Sequence, residues 1–197
     1  MSLTLTTRPT IVDSFIPRSL VADIALVIGG TALTAAAAQL VIPTSPVPFT
    51  GQTFAVLLVG AALGANRAAA SMFLYLLVGA AGLPVFTEGK SGLFDDAGKL
   101  TGTLGYIVGF VLASALVGFL AERGWAKSSL GVISAFLIGN AVIYALGLPW
   151  LQYSYGVSWD QTIAWGFTPF VVGDLLKLIA AAFVLPGSWL LVKKVKG

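Results

Sequence analysis

The chain has 197 residues, 57% hydrophobic and only 10% charged, with a mean hydropathy of +0.95; a soluble domain carries roughly 25% charged residues, so this composition points to a membrane protein. The length suits one domain, a compact bundle of about six spans with short loops. There is no cysteine and no histidine, which excludes a disulfide framework, a thiolate nucleophile, the usual zinc site and every Ser-His arrangement.

The polar start "MSLTLTTRPT" precedes the first apolar run, so no cleavable signal peptide is visible and the N-terminus is expected to be retained. Six apolar segments follow, at 19–42, 52–65, 68–83, 103–121, 129–148 and 168–192. Segment one reads "ADIALVIGGTALTAAAAQL", with small residues at four-residue spacing: Ala25 and Gly29, Ala32 and Ala36, and Gly30, Thr34 and Ala38. Such stripes let another helix approach closely, and packing within the bundle and docking of a partner helix both fit. The loop 43–51, "PTSPVPFTG", holds Pro43, Pro46 and Pro48, so it should be stiff and extended. Segments two and three cover about 20–25 Å each at 1.5 Å per residue, and two spans or one re-entrant hairpin both fit. The loop 84–102, "PVFTEGKSGLFDDAGKLTG", has the composition of a mobile lid or of a solvated connector. The loop 149–167 carries Trp150, Tyr153, Tyr155, Trp159 and Trp165, which an aromatic belt at the lipid headgroups explains without a ligand. No internal repeat of fixed period occurs.

The pI of about 9.3 reflects topology and not nucleic-acid binding, because the basic residues are scattered among loops. With the N-terminus cytoplasmic, Arg8, Arg18, Arg67, Arg123, Lys127, Lys193, Lys194 and Lys196 lie inside, while Lys90 and Lys99 lie outside with Glu88, Asp95, Asp96 and Asp160. This asymmetry places both termini in the cytoplasm.

Asp174 and Lys177, in "VVGDLLKLIAAAF", share one helix face at i and i+3, and Asp174 falls about 9 Å below the outer end of its segment. Central charges carry insertion costs of about 2.5–3.5 kcal/mol each, so such residues face the bundle interior or a polar cavity. A self-satisfied ion pair and a substrate site are the two readings, and intramembrane ionisable residues favour the second. A Gly-Asp intramembrane protease would need a second aspartate in reach, and Asp23 sits at the opposite end. A phosphate loop fails too: in "GLFDDAGKL" Gly92 is one position too far from Gly98 and Lys99, and Leu100 replaces the hydroxyl. Any ATP must therefore be bound by another subunit. Asn140 in "IGNAVIYALGLPW", and Gln52 with Thr53, are isolated polar groups at or near membrane depth that suit either a ligand or a bridge between helices.

These residues resemble the BioY family, the biotin-binding S-components of energy-coupling factor (ECF) vitamin transporters. The resemblance covers nearly the whole chain and rests on "PVPFTGQTFAVLLVGAALG", "GAAGLPVF", "GTLGYIVGF", "GNAVIYALGLPWL" and "PFVVGDLLKL". One departure is visible. The family commonly has Gly-Pro-Thr-Gly-Gly-Tyr before its fourth helix, whereas residues 101–106 read "TGTLGY", matching at Thr103, Gly105 and Tyr106. The resemblance implies an all-α integral membrane protein, a six-helix S-component bundle in which segments two and three are full helices. It implies biotin binding near the outer surface and docking onto a transmembrane T-component with two ATPase subunits. By matching position it assigns Asp174, Lys177, Tyr106, Asn140, Gln52, Thr53, Thr103 and Phe86 to the ligand, and Ala32 and Ala36 to the T-component. No cofactor and no chemical step on biotin are implied.

Biotin's ureido N–H groups suit an aspartate, its carbonyl suits a lysine, and aromatics suit its thiophane ring; the reverse orientation, with the carboxylate on Lys177, stays open. The rivals are an S-component for another vitamin, thiamine- or riboflavin-like, and a membrane enzyme.

Overall fold

The computed structural model describes residues 9–95 and 98–196, so Arg8 and Asp96 lie outside the described residues, as does the side chain of Lys196. Helix α1 (Leu20–Ala38) leads into a two-strand hairpin, β1 (Val41–Ile42) and β2 (Phe49–Thr50), with Val41 opposite Thr50 and Ile42 opposite Phe49. Then come α2 (Gln52–Leu63), α3 (Ala65–Ala80), α4 (Leu104–Glu122), α5 (Ser129–Tyr155), the short α6 (Trp159–Gly166) and α7 (Val171–Lys196). The fold is an all-α bundle of six main helices, and among the described residues four stretches are long and apolar enough to cross a membrane: Leu20–Ala38, Leu104–Glu122, Ser129–Tyr155 and Trp159–Lys194.

Each expected segment is helical over most of its length, with several shifted ends. Segment one stops at Ala38, four residues early, because Gln39 leaves the helix. Its side chain donates to the Phe86 carbonyl at 3.0 Å and accepts from the Gly89 amide at 3.0 Å, tying the end of α1 to the 84–92 turn. Segment three starts at Ala65, directly after Gly64, whose φ of +84° makes a one-residue corner that a side chain would strain. The loop expected at 149–167 is mostly helix. Pro149 sits inside α5 without ending it, because Leu151 is fully buried and the Trp150 indole donates to the Thr101 carbonyl at 2.9 Å. Helix α5 ends at Gly156, and α6 starts on a Ser158 cap. The 43–51 loop, expected to be extended, instead turns the chain back as the reversal of the β hairpin. It bends at residues 45–47, held by the Thr44 hydroxyl, which donates to the Val47 carbonyl at 2.7 Å and accepts from the Phe49 amide at 3.1 Å.

Helix α4 is the centre of the bundle, with more than half of its span buried. In a bilayer, helices associate through close van der Waals packing more than through exclusion of water, and small residues at crossings permit it. A Cβ on Gly60 would fall 2.7 Å from the Ser114 carbonyl, so this glycine lets α2 lie directly on α4. The two small-residue stripes of α1 divide. Gly30, Thr34 and Ala38 are buried, Gly30 against Ser71 and Thr34 beside Met72, whereas Ala25, Gly29, Ala32 and Ala36 are exposed. The end of the bundle where α1 and α3 begin and α7 finishes is fixed by Arg67, which bonds Asp13 at 2.8 Å and Asp23 at 2.7 Å.

Candidate binding site

At the other end, where α4 and α7 begin and α5 finishes, lies a cavity of about 520 Å³. That volume suits a small organic ligand. Its cover is the hairpin, through Pro46, Val47 and Pro48, and the following loop, through residues 86–95 and 99–103; its apolar walls include Ile107, Phe110, Ile143 and Phe170.

Lys177 reaches into the cavity from α7. Its ammonium donates to the Thr50 carbonyl (2.9 Å), to Thr53 Oγ1 (2.7 Å) and to Asp174 Oδ1 (3.1 Å), and it sits 4.1 Å from the centroid of the Phe49 ring. All three of its donors are occupied, so an acceptor on a ligand must replace one of them. Asp174 lies behind it, 8% exposed and outside the cavity lining. Thr53 Oγ1 donates to its Oδ1 at 3.3 Å, and the Tyr144 phenol donates to Oδ2 at 2.5 Å. The pair is thus part of a four-residue network, and the carboxylate is held by donors from α2, α5 and α7. Gly173 precedes Asp174 because the Phe49 ring occupies the space where its Cβ would lie; the Gly-Asp pair reflects packing of the hairpin on α7.

Gln52, at the first turn of α2, joins the cover to the bundle. Its amide donates to the Tyr75 phenol (2.7 Å), and its oxygen accepts from Thr50 (2.9 Å) and Thr87 (3.0 Å). Tyr75 in turn donates to the Val85 carbonyl at 2.9 Å. Phe86 is buried, edge-on to Tyr75 at 5.4 Å between centroids.

Six of the eight residues named from the sequence line the cavity: Gln52, Thr53, Phe86, Thr103, Tyr106 and Lys177. Tyr106 donates to the Gly166 carbonyl at 3.0 Å and meets Tyr144 edge-on. Asp174 is one bond behind the lining. Asn140 is not in the lining, and its Oδ1 is buried without a hydrogen-bond partner among the described residues. Sequence reasoning missed Tyr144 and Phe49. Tyr144 lies one turn after Asn140 in an apolar run, which was a usable signal; Phe49 becomes visible only when the hairpin folds over Gly173. Among the loop aromatics, Tyr153 is 81% exposed, as a headgroup belt requires, but Tyr155 lines the cavity and pairs with Trp165.

The family model described as the BioY family matches residues 7–194. The chain belongs to the BioY family. A biotin transporter BioY of Thermotoga maritima is 40% identical over 154 residues, covering 78% of this chain and 88% of that one. Biotin transporter BioY2 of Lactococcus lactis is 37% identical over 160 residues, covering 80% and 84%. A crystal structure of the S-component for biotin from an ECF-type ABC transporter has the same fold, with a TM-score of 0.73, 24% identity, and coverage of 84% of this chain and 89% of that one. All elements that build the cavity of this BioY protein fall within the family match. With its apolar helices, the family places the chain among multi-pass membrane proteins.

Proposed function

We propose that this BioY protein is the substrate-capture subunit for biotin uptake, taking biotin from outside the cell and delivering it across the cell membrane with an ECF ATPase module. The observation that carries the reading is the apolar, aromatic-walled cavity ending on the Lys177, Asp174, Thr53 and Tyr144 network. Biotin offers a polar ureido ring and an apolar thiophane, and the cavity offers both kinds of surface. The ureido carbonyl accepts from Lys177 in place of Thr53 or the Thr50 carbonyl, and Asp174 accepts from a ureido N–H as the freed network rearranges. Capture involves no bond made or broken in biotin, and the chain acts as a carrier and not as an enzyme.

Residues 1–197 form one transmembrane domain with both termini cytoplasmic, which puts the cavity at the outer face and the Arg67 end inside. The exposed stripe of Ala32 and Ala36 meets a T-component, which carries two ATPase subunits that supply the ATP-driven step. The test is biotin affinity by calorimetry in detergent for Asp174→Asn, Lys177→Met and the double variant, with melting curves on the same samples. Loss of two charge-assisted contacts should cost about 3 kcal/mol or more, over a hundredfold in affinity, with the fold retained. A folded double variant that binds within a fewfold of the unaltered protein would leave the pair as architecture, since replacing a buried ion pair is often neutral for stability. Mass spectrometry of the purified chain, showing which small molecule co-purifies, tests the ligand directly.

A further inference from the structure

At the end of the bundle opposite the cavity, a groove of about 380 Å³ lies between the start of α5 and the last third of α7. Two of its lining side chains, Lys127 and Lys193, are cationic, and among the described residues no carboxylate lines it. Pro186 shapes the groove. Its ring removes the N–H that would reach the Ala182 carbonyl, and Ser129 Oγ donates to that carbonyl instead, at 2.9 Å. The first turn of α5 is thereby fastened to a notch in α7. Ser128 Oγ accepts from the Gly131 amide, so both serines of the groove have partners within the protein.

Trp189, one turn beyond Pro186, lines the groove and is 8% exposed, and its indole N–H has no acceptor among the described residues. Lys127 holds its ammonium 4.4 Å from the centroid of the same indole. A buried indole donor without a partner is unfavourable, and two lysines that share a groove with no carboxylate repel each other. Both conditions are relieved by one kind of guest, an anion rich in oxygen acceptors. Leu190, also in the lining and 66% exposed, gives the groove an apolar rim continuous with the lipid-facing side of α7. A guest with acyl chains leaves along that rim, whereas a free anion gains nothing from it.

We propose that this groove holds the phosphodiester headgroup of an anionic phospholipid, with Lys127 and Lys193 on the phosphate and the Trp189 N–H donating to one of its oxygens. Basic recesses between helices at the membrane edge are suited to such headgroups.

The test is native mass spectrometry of the full chain released from micelles containing equal amounts of phosphatidylglycerol and phosphatidylcholine. The unaltered protein should retain one phosphatidylglycerol in clear preference. The double variant Lys127→Gln with Lys193→Gln should lower that preference about tenfold or more. Trp189→Phe, which keeps a ring and deletes the N–H, should lower it by a smaller factor. Gel filtration and melting report whether each variant is folded, and Lys193→Gln alone, on an exposed side chain, serves if the double variant is not. Equal retention of the two lipids by the unaltered protein, or an unchanged preference in the folded lysine variant, overturns the proposal. Competition with excess inorganic phosphate separates the sources: undisplaced lipid supports the lipid site, and full displacement overturns it in favour of a free phosphate site.

Discussion

Tyr144 shows what single residues decide in this site. Its phenol gives Asp174 Oδ2 the only donor that comes from α5, and its ring packs edge-on between Tyr106 and Phe167. Tyr144→Phe keeps that ring packing and removes the donor, so the carboxylate loses one anchor and biotin affinity should fall about tenfold or more, by about 1.5–3 kcal/mol. Calorimetry reads this, and an unchanged affinity would mean that Thr53 and Lys177 orient the carboxylate without help. Gly173→Ala makes a different demand. The added methyl displaces the Phe49 ring, which uncovers Lys177 and loosens the hairpin on α7. Its expected signature is faster biotin release with a small change in melting temperature, measured by stopped-flow dissociation.

Elements are held in place by polar ties at their ends, and one of these is pH-sensitive. Burial pushes the Asp13 carboxyl up, but hydrogen bonds from Arg18, Arg67 and Thr10 outweigh it and hold the group well below the usual carboxylate range. The folded value therefore lies below the unfolded one, near 4. The stabilisation is complete above about pH 4 and is lost as pH falls from there toward the folded value. Arg18 is 62% exposed and adds little, so Arg67 carries most of the effect. Asp13→Asn should lower stability at neutral pH by about 1–3 kcal/mol and flatten the acid limb of the melting profile; parallel acid limbs for the two proteins would exclude Asp13 as its source. Most of the helices were legible because long apolar runs between charged loops carry their own signal. The continuation of α5 past Pro149 was not, since a proline ordinarily marks an end and only the buried Leu151 and the Trp150 bond to Thr101 overrule it. In the site, Lys177 and Asp174 stood out as charges at membrane depth. Phe49 did not, because its role depends on a contact 124 positions away in sequence, at Gly173.

For the whole molecule, α1 is the least covered of the long apolar helices, with 17% of its span buried. Its inner stripe explains how it joins the bundle, and its outer stripe is exposed, as the proposed docking onto a T-component requires. Ala32→Leu or Ala36→Leu should leave monomer stability and biotin affinity unchanged while preventing co-purification with the T-component. Pull-down and calorimetry on the same preparations decide this, and intact co-purification would remove the stripe from the docking surface. One more consequence belongs to α2. It has 12 residues, about 18 Å of a hydrocarbon core near 30 Å, and Gln52 and Thr53 at its start line the cavity. Its first turn therefore borders the cavity, and that turn carries roughly half a positive charge from aligned peptide dipoles. The cavity wall at Gln52 and Thr53 thus has a fixed backbone potential that no side-chain substitution removes. A ligand's most electron-rich atom is drawn toward that wall even after Lys177 is neutralised.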